Sequence, residues 1–335
     1  PIISPQRSNS GLSIVRHNLR PAPGVTSVTK KIPGLCAGAR ALIDSMDVDR
    51  AEDAGFVEVS WSGSATSELG VSTISVITKD PSAGPLWQDA VDGKIALLHG
   101  NRFFSAFATE DGHLYIYSPV GRRIFACIYM GGLVSFLEAN NEYLMCAAAT
   151  GKILVWNVVE RSLHVKTNTK GFMNDVSIVS LSSEGLPIVT LDTKESYLFS
   201  KDMACWQRIA GSQFHLSDYN SDLNAKVGLG SRGPLQRLQM LVNNEPSALL
   251  LQNVTTELQA IHTVSHLENQ IQCALSIGSA NEYKHWLKLY VQKLTADAKV
   301  NKLAELIDDL LGYPPGSKPP ILGLERADLL RKLLP

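Results

Sequence analysis

Gly228-Leu229-Gly230-Ser231-Arg232-Gly233 matches, letter for letter, the GxGxxG spacing with which backbone amides hold a pyrophosphate. That chemistry needs a strand just before the loop and a helix opening at its end, so that unpaired N–H groups point at the phosphates. Here Asp222-Leu223-Asn224-Ala225-Lys226-Val227 precedes the glycines and Pro234 follows, with no visible βαβ unit. The reading is a flexible loop. His262 and His266 stand four apart on an expected helix, a spacing that can place two imidazoles on one metal ion. The zincin pattern also requires Glu directly after the first His, and position 263 is Thr. An ordinary, partly exposed pair is the better reading. His285 lies beside Trp286 and needs no catalytic role, while Asp308 and Asp309 are adjacent on a helix and so point apart. Neither a GxSxG elbow nor a P-loop occurs. The cysteines Cys36, Cys127, Cys146, Cys205 and Cys273 are widely spaced, odd in number and without a CxxC pair. They suggest neither a zinc site nor a disulfide framework, and fit a reducing compartment. These residues point to no enzyme, no cofactor and no small-molecule substrate.

The elements that would position any site follow from composition and periodicity. With 335 residues, 44% apolar and 19% charged, the chain can bury one large or two ordinary cores under a lightly charged surface. A net charge of -1 argues against electrostatic capture of nucleic acid by the molecule as a whole. No apolar run approaches the roughly 18–20 residues of a membrane span, and no secretory h-region is present. The first residue is Pro1 rather than Met, which reads as a fragment of something larger.

Residues 1–50 read as a basic, largely disordered arm or linker. Arg7, Arg16, Arg20, Lys30, Lys31 and Arg40 are dispersed among Ser, Pro, Gly and Asn, and no acidic residue precedes Asp44. Residues 51–250 read as a propeller-like β domain. Phe56–Trp61 and Val71–Ile77 alternate as half-buried strands do. Glu110-Asp111-Gly112-His113-Leu114-Tyr115-Ile116-Tyr117-Ser118 is echoed by Ala149-Thr150-Gly151-Lys152-Ile153-Leu154-Val155-Trp156-Asn157, 39 residues on. A weaker copy, Thr193–Phe199, follows about 42 residues later. This is the period of a WD-type blade, in which Gly allows the hairpin turn and an aromatic closes the strand. Three to four units are visible. Tyr117, Trp156 and Phe199 read as inter-blade packing first and binding residues second. Residues 211–250 form a polar connection.

From 251 to 335 the period becomes helical. Ser279 and Glu282 have capping-box spacing. Behind them Tyr283, Trp286, Leu287, Tyr290, Val291 and Leu294 make a wide apolar stripe. A preceding helix carries Ile261, Val264, Leu267, Ile271 and Leu275. A following one carries Val300, Leu303, Leu306, Ile307 and Leu310, with Gly312 as its stop. A last helix runs from about Leu324 to Leu334. The fold class expected is mainly β with α: a WD-type propeller-like domain followed by a C-terminal helical bundle.

The repeat and the helical series together resemble the C-terminal domain of the HIRA/Hir family of histone chaperone subunits. The carrying residues are Glu110–Ser118 with Gly121-Arg122-Arg123, and Leu154-Val155-Trp156-Asn157-Val158. More specific are Leu267-Glu268-Asn269-Gln270, Glu282-Tyr283-Lys284-His285-Trp286-Leu287, Leu310-Leu311-Gly312 and Leu329-Leu330-Arg331-Lys332-Leu333-Leu334-Pro335. The resemblance covers roughly residues 85–335. It implies a nuclear, chromatin-associated scaffold that supports replication-independent nucleosome assembly and transcriptional corepression. It further implies a trimer of itself or a paralogue, docking of a large helical-repeat scaffold subunit, and core histones reached indirectly through other subunits. A Trp-Asp dipeptide that the family associates with the trimer contact matches Trp156 and Asn157. The Asn departs from the pattern, so a charged contact does not carry over. Tyr283, Trp286 and Tyr290 read first as intramolecular core and second as a partner-binding stripe, since interface cores favour Trp and Tyr. A trimeric replisome adaptor hub, which also joins a propeller to helices, is the alternative; the helical series disfavours it.

Overall fold

The computed structural model describes residues 27–31, 56–63, 70–77, 84–169, 176–219, 233–242, 255–312, 314 and 318–333. Sixteen strands among them form four four-stranded sheets, and within each the strands neighbour one another in sequence order. The first sheet is β1 (Ser27–Lys31), β2 (Phe56–Gly63), β3 (Gly70–Ile77) and β4 (Pro85–Asp92). The second is β5 (Ile95–Gly100), β6 (Ser105–Thr109), β7 (His113–Tyr117) and β8 (Ile128–Tyr129). The third is β9 (Val134–Asn140), β10 (Tyr143–Ala148), β11 (Lys152–Asn157) and β12 (Ser162–Asn168), and the fourth is β13 (Val176–Leu181), β14 (Pro187–Leu191), β15 (Ser196–Ser200) and β16 (Cys205–Ala210). Such meanders are the blades of a propeller. Five helices follow: α1 (Pro234–Val242), α2 (Thr256–Ser276), α3 (Ala280–Ala296), α4 (Val300–Leu311) and α5 (Arg326–Leu333). The expected class, β propeller blades plus C-terminal helices, is what the chain forms.

The repeat spacing is the spacing of hairpin turns. The N–H of Gly112 bonds to Thr109 O at 3.1 Å and that of Gly151 to Ala148 O at 2.9 Å, with φ +90° and +85°. Gly112 is also sterically required, because a Cβ there would stand 2.3 Å from the Gly132 carbonyl oxygen. In the fourth sheet Lys194 makes the same bond, to Leu191 O at 3.0 Å, at φ 66°. A lysine doing a glycine's work explains why the third copy of the motif is weak in the sequence.

The chain divides into two compact units, residues 1–188 and 189–335. The division falls inside β14 rather than near residue 250, because β15 and β16 pack with α1. In the first unit, alternation along single strands builds two cores at once. Ala106, Ala108, Leu114 and Ile116 join Leu137, Leu144, Cys146 and Trp156. Phe107 and Tyr117, on the opposite face of the same strands, join Ile74, Val76, Trp87 and Val91. A sheet buried on both faces in this way cannot be a single exposed hairpin layer.

Part of the expected N-terminal arm is strand: β1 pairs antiparallel with β2, Ser27 opposite Ser60 and Lys31 opposite Phe56. The rest of residues 1–50 lies outside the described residues. In the second unit α1 lies within the stretch read as a polar connection, and α2 to α5 follow the expected apolar periodicity.

Candidate interaction sites

Trp156 lies in the first unit with 8% of its surface exposed, packed in the core shared by the second and third sheets. Its register partners are Leu144 on β10 and Leu163 on β12. Asn157 is 3% exposed, and its Oδ1 accepts the Glu160 N–H at 3.0 Å, shaping the turn into β12. Both side chains are therefore committed within the chain itself. Beside them Val159, in that turn, and Leu163, on β12, are 59% and 52% exposed, with exposed Glu160, Arg161 and Ser162 between them. β12 is the outer strand of its sheet. An outer strand with an uncovered apolar side chain such as Leu163 is a pairing hazard unless something covers it. Tyr117, the equivalent of Trp156 one blade earlier, is fully buried and stacks on Trp87 with ring centroids 5.2 Å apart. Phe199 is likewise buried, edge-on to Trp206. The packing reading of all three aromatics is the one the structure shows.

Neighbouring blades of the first unit are also tied by polar contacts. Trp87 Nε1 donates to Pro119 O at 3.1 Å, and Arg123 Nε to Asp89 Oδ2 at 2.8 Å. Burial opposes the Asp89 charge, but the Arg123 hydrogen bond and the other donors outweigh it and hold the carboxyl below its usual range. Asn101 Nδ2 reaches Asn141 O at 2.6 Å, and Asn140 Nδ2 reaches Leu181 O at 3.0 Å. Each of these two amides thus clasps the blade that follows its own.

In the second unit Tyr283, Trp286 and Tyr290 are 3%, 6% and 7% exposed. Their helix α3 packs against α2, α4 and α5. Tyr290 Oη donates to Glu268 Oε1 at 2.6 Å, and Lys302 Nζ bonds the same oxygen at 2.6 Å. The stripe is buried within the unit.

The capping-box expectation needs correction. Ser279 precedes α3 but makes no side-chain cap bond. Glu282, 2% exposed, turns instead to the start of α1, where Oε2 accepts Leu235 N–H at 3.2 Å and Oε1 accepts Gln236 N–H at 2.8 Å. The first N–H groups of a helix have no partner within it, and its positive end favours a carboxylate. That attraction outweighs a local cap. Gly233, the last glycine of the GxGxxG match, makes room for the arrangement, since a Cβ there would meet Glu282 Cδ at 2.1 Å. The remaining five positions of that match lie outside the described residues.

His266 is 1% exposed and His262 is partly buried. A directional chain of hydrogen bonds fixes the state of His266. The Ile209 carbonyl can only accept, so Gln239 Nε2 donates to it at 3.2 Å and also to Gln270 Oε1 at 2.8 Å. Gln270 Nε2 then faces His266 Nε2 at 2.8 Å as a donor. The imidazole is therefore neutral, with its proton on Nδ1 donated to Ser217 Oγ at 2.8 Å. Both ring nitrogens are occupied, which removes His266 from metal ligation. Burial holds its pKa down, to about 4. His262 instead sits beside Phe214 and His215. Among the described residues no three His, Cys, Asp or Glu side chains are grouped as a metal site would require.

The specific helical motifs are thus hardware for packing: Glu268, Gln270, Glu282, Tyr283 and Trp286 each hold one element of the unit to another. A model of the family described as Hira, TUP1-like enhancer of split, matches residues 121–310. Curated relatives named Protein HIRA include one from Xenopus laevis, 30% identical over 266 residues, which cover 75% of this chain and 26% of that protein. Another, from Homo sapiens, is 29% identical over 266 residues with the same coverage. The chain spans about a quarter of the length of these relatives. Among solved structures, the crystal structure of HIRA(644-1017) matches with a TM-score of 0.67 and 22% identity, over 92% of this chain and 91% of that one. At that identity the likeness is one of fold.

Proposed function

Because the chain belongs to the Hira family, whose model matches residues 121–310, we propose that it is a non-enzymatic scaffold and oligomerisation domain of a HIRA/Hir-type histone chaperone complex. In this role it serves replication-independent nucleosome assembly and transcriptional corepression at chromatin in the nucleus. It associates as a trimer of itself or a paralogue, and its helical unit docks a large helical-repeat scaffold subunit. Core histones are reached through other subunits.

The observation that carries the reading is the edge of the third sheet. Val159 and Leu163 are uncovered there, directly beside the buried Trp156 and Asn157. Trp156 and Asn157 act as a rigid seat, and Val159 with Leu163 supply the contact. Exposed apolar side chains at a strand edge suit a standing assembly, whose interfaces resemble a core cut in two. Tyr283, Trp286 and Tyr290 support the helical docking layer from beneath. Sedimentation equilibrium of the chain tests the proposal. A mass of three chains at micromolar concentration is expected, and a strict monomer rejects the assembly role.

A further inference from the structure

Helix α4 carries six large apolar side chains, Val300, Leu303, Leu306, Ile307, Leu310 and Leu311, yet only Leu310 is buried. At 3.6 residues per turn they fall into two strips. Leu303, Leu306 and Leu310 line the side turned to the unit's own core. Val300, Ala304, Ile307 and Leu311, at i, i+4, i+7 and i+11, form a second strip. There Val300 is 69% and Leu311 43% exposed, Ala304 is exposed and Ile307 half-buried.

The anchors of α4 leave this strip open. Lys302 bonds Glu268 on α2, and Asp309 is held by Lys318 through its carboxylate and by Arg326 through its backbone carbonyl. Following the strip round the helix come Asp308 and Glu305, both exposed and neither in an ion pair among the described residues. The strip therefore has an acidic margin.

That margin selects the occupant. An anionic membrane surface favours basic margins and would be repelled. A second α4 would set carboxylates against carboxylates. An amphipathic helix with Lys or Arg along one border satisfies both the apolar strip and the charge, in the helix-in-groove manner of recognition. We propose that the Val300–Ala304–Ile307–Leu311 strip is the docking face for such a basic-margined amphipathic helix of a partner protein. The twelve residues of α4 span about 18 Å, so a helix of roughly three turns fills the face. The inference rests on the docking role proposed above only in expecting a helical partner, and its test is independent of the chain's mass.

Two fluorescent model helices of about 16 residues serve as probes, each with one leucine stripe, one with lysine margins and one with glutamate margins. Anisotropy titrations against the whole chain should show saturable binding of the lysine peptide and binding about tenfold weaker for the glutamate peptide, the difference shrinking in high salt. The double substitution Val300→Asp with Leu311→Asp should abolish binding and leave circular dichroism and the urea midpoint unchanged, because both side chains are exposed. Equal affinity for the two peptides, no binding of either, or undiminished binding by the double variant overturns the proposal. A drop in the mass of the double variant also overturns it, since the strip would then join copies of this chain.

Discussion

Gly233 and Glu282 are 49 positions apart in the chain, yet a Cβ on the first would stand 2.1 Å from Cδ of the second. The glycine admits the carboxylate to the start of α1, and the carboxylate accepts two backbone N–H groups there. Gly233→Ala must push Glu282 aside, and overpacking of this kind costs about 1–3 kcal/mol. Glu282→Ala strands buried N–H groups at a similar cost of about 1–3 kcal/mol. Urea unfolding of the single and double variants checks the coupling. The double loss should fall well short of the sum, because both changes break one arrangement; strict additivity would refute it.

His266 makes stability depend on pH. Its folded pKa is depressed by burial to about 4 from the ordinary 6.5, so the unfolded chain binds the proton more readily between those values. Stability is complete above pH 6.5 and is lost as pH falls toward 4, by on the order of 3 kcal/mol. Urea midpoints measured from pH 7.5 down to 4 should decline over this window. A His266→Gln variant should lose that part of the slope, and an unchanged slope would show that other groups carry it.

Trp156 and Leu163 face each other across β11 and β12 but should fail differently. Trp156→Ala removes a buried ring from a two-sheet core, at a typical cost of about 3–5 kcal/mol. Leu163→Asp alters an exposed position and should change stability by no more than about 0.5 kcal/mol. If the β12 edge joins protomers, Leu163→Asp lowers the sedimenting mass of a fully folded chain. A folded variant that keeps the wild-type mass excludes this edge as the contact.

Lys194 holds a left-handed turn conformation that costs an L-residue about 1–2 kcal/mol. Lys194→Gly should therefore raise stability by about 0.5–1 kcal/mol once the glycine's greater unfolded freedom is subtracted. Gly151→Ala should do the opposite. Thermal melts of the pair give the test, and a destabilised Lys194→Gly would mean that the lysine side chain contributes contacts of its own.

Much of this was legible in the residues. The blades announce themselves through Gly112, Gly151 and the aromatics that close their strands, because turn geometry and strand alternation are local. The helices α2 to α5 follow from apolar spacing and from Gly312. What escaped was whatever depends on distant partners. Glu282 has capping-box spacing to Ser279, yet its bonds go to residues 47 and 46 positions upstream. Helix α1 was hidden because nine residues between polar flanks carry a weak periodic signal, Leu235 and Leu238 being its buried marks. For α4, spacing reports amphipathicity without saying how much of it the fold covers.

Asn101 and Asn140 each extend an amide forward, to a carbonyl in the next sheet. In both, the donor belongs to the earlier segment and the receiving carbonyl lies 40 or 41 residues later. A nascent chain can therefore secure the second and third sheets as the segment that follows each leaves the ribosome. That part of the assembly can keep step with translation, from the N-terminal side onward, before the helices are made.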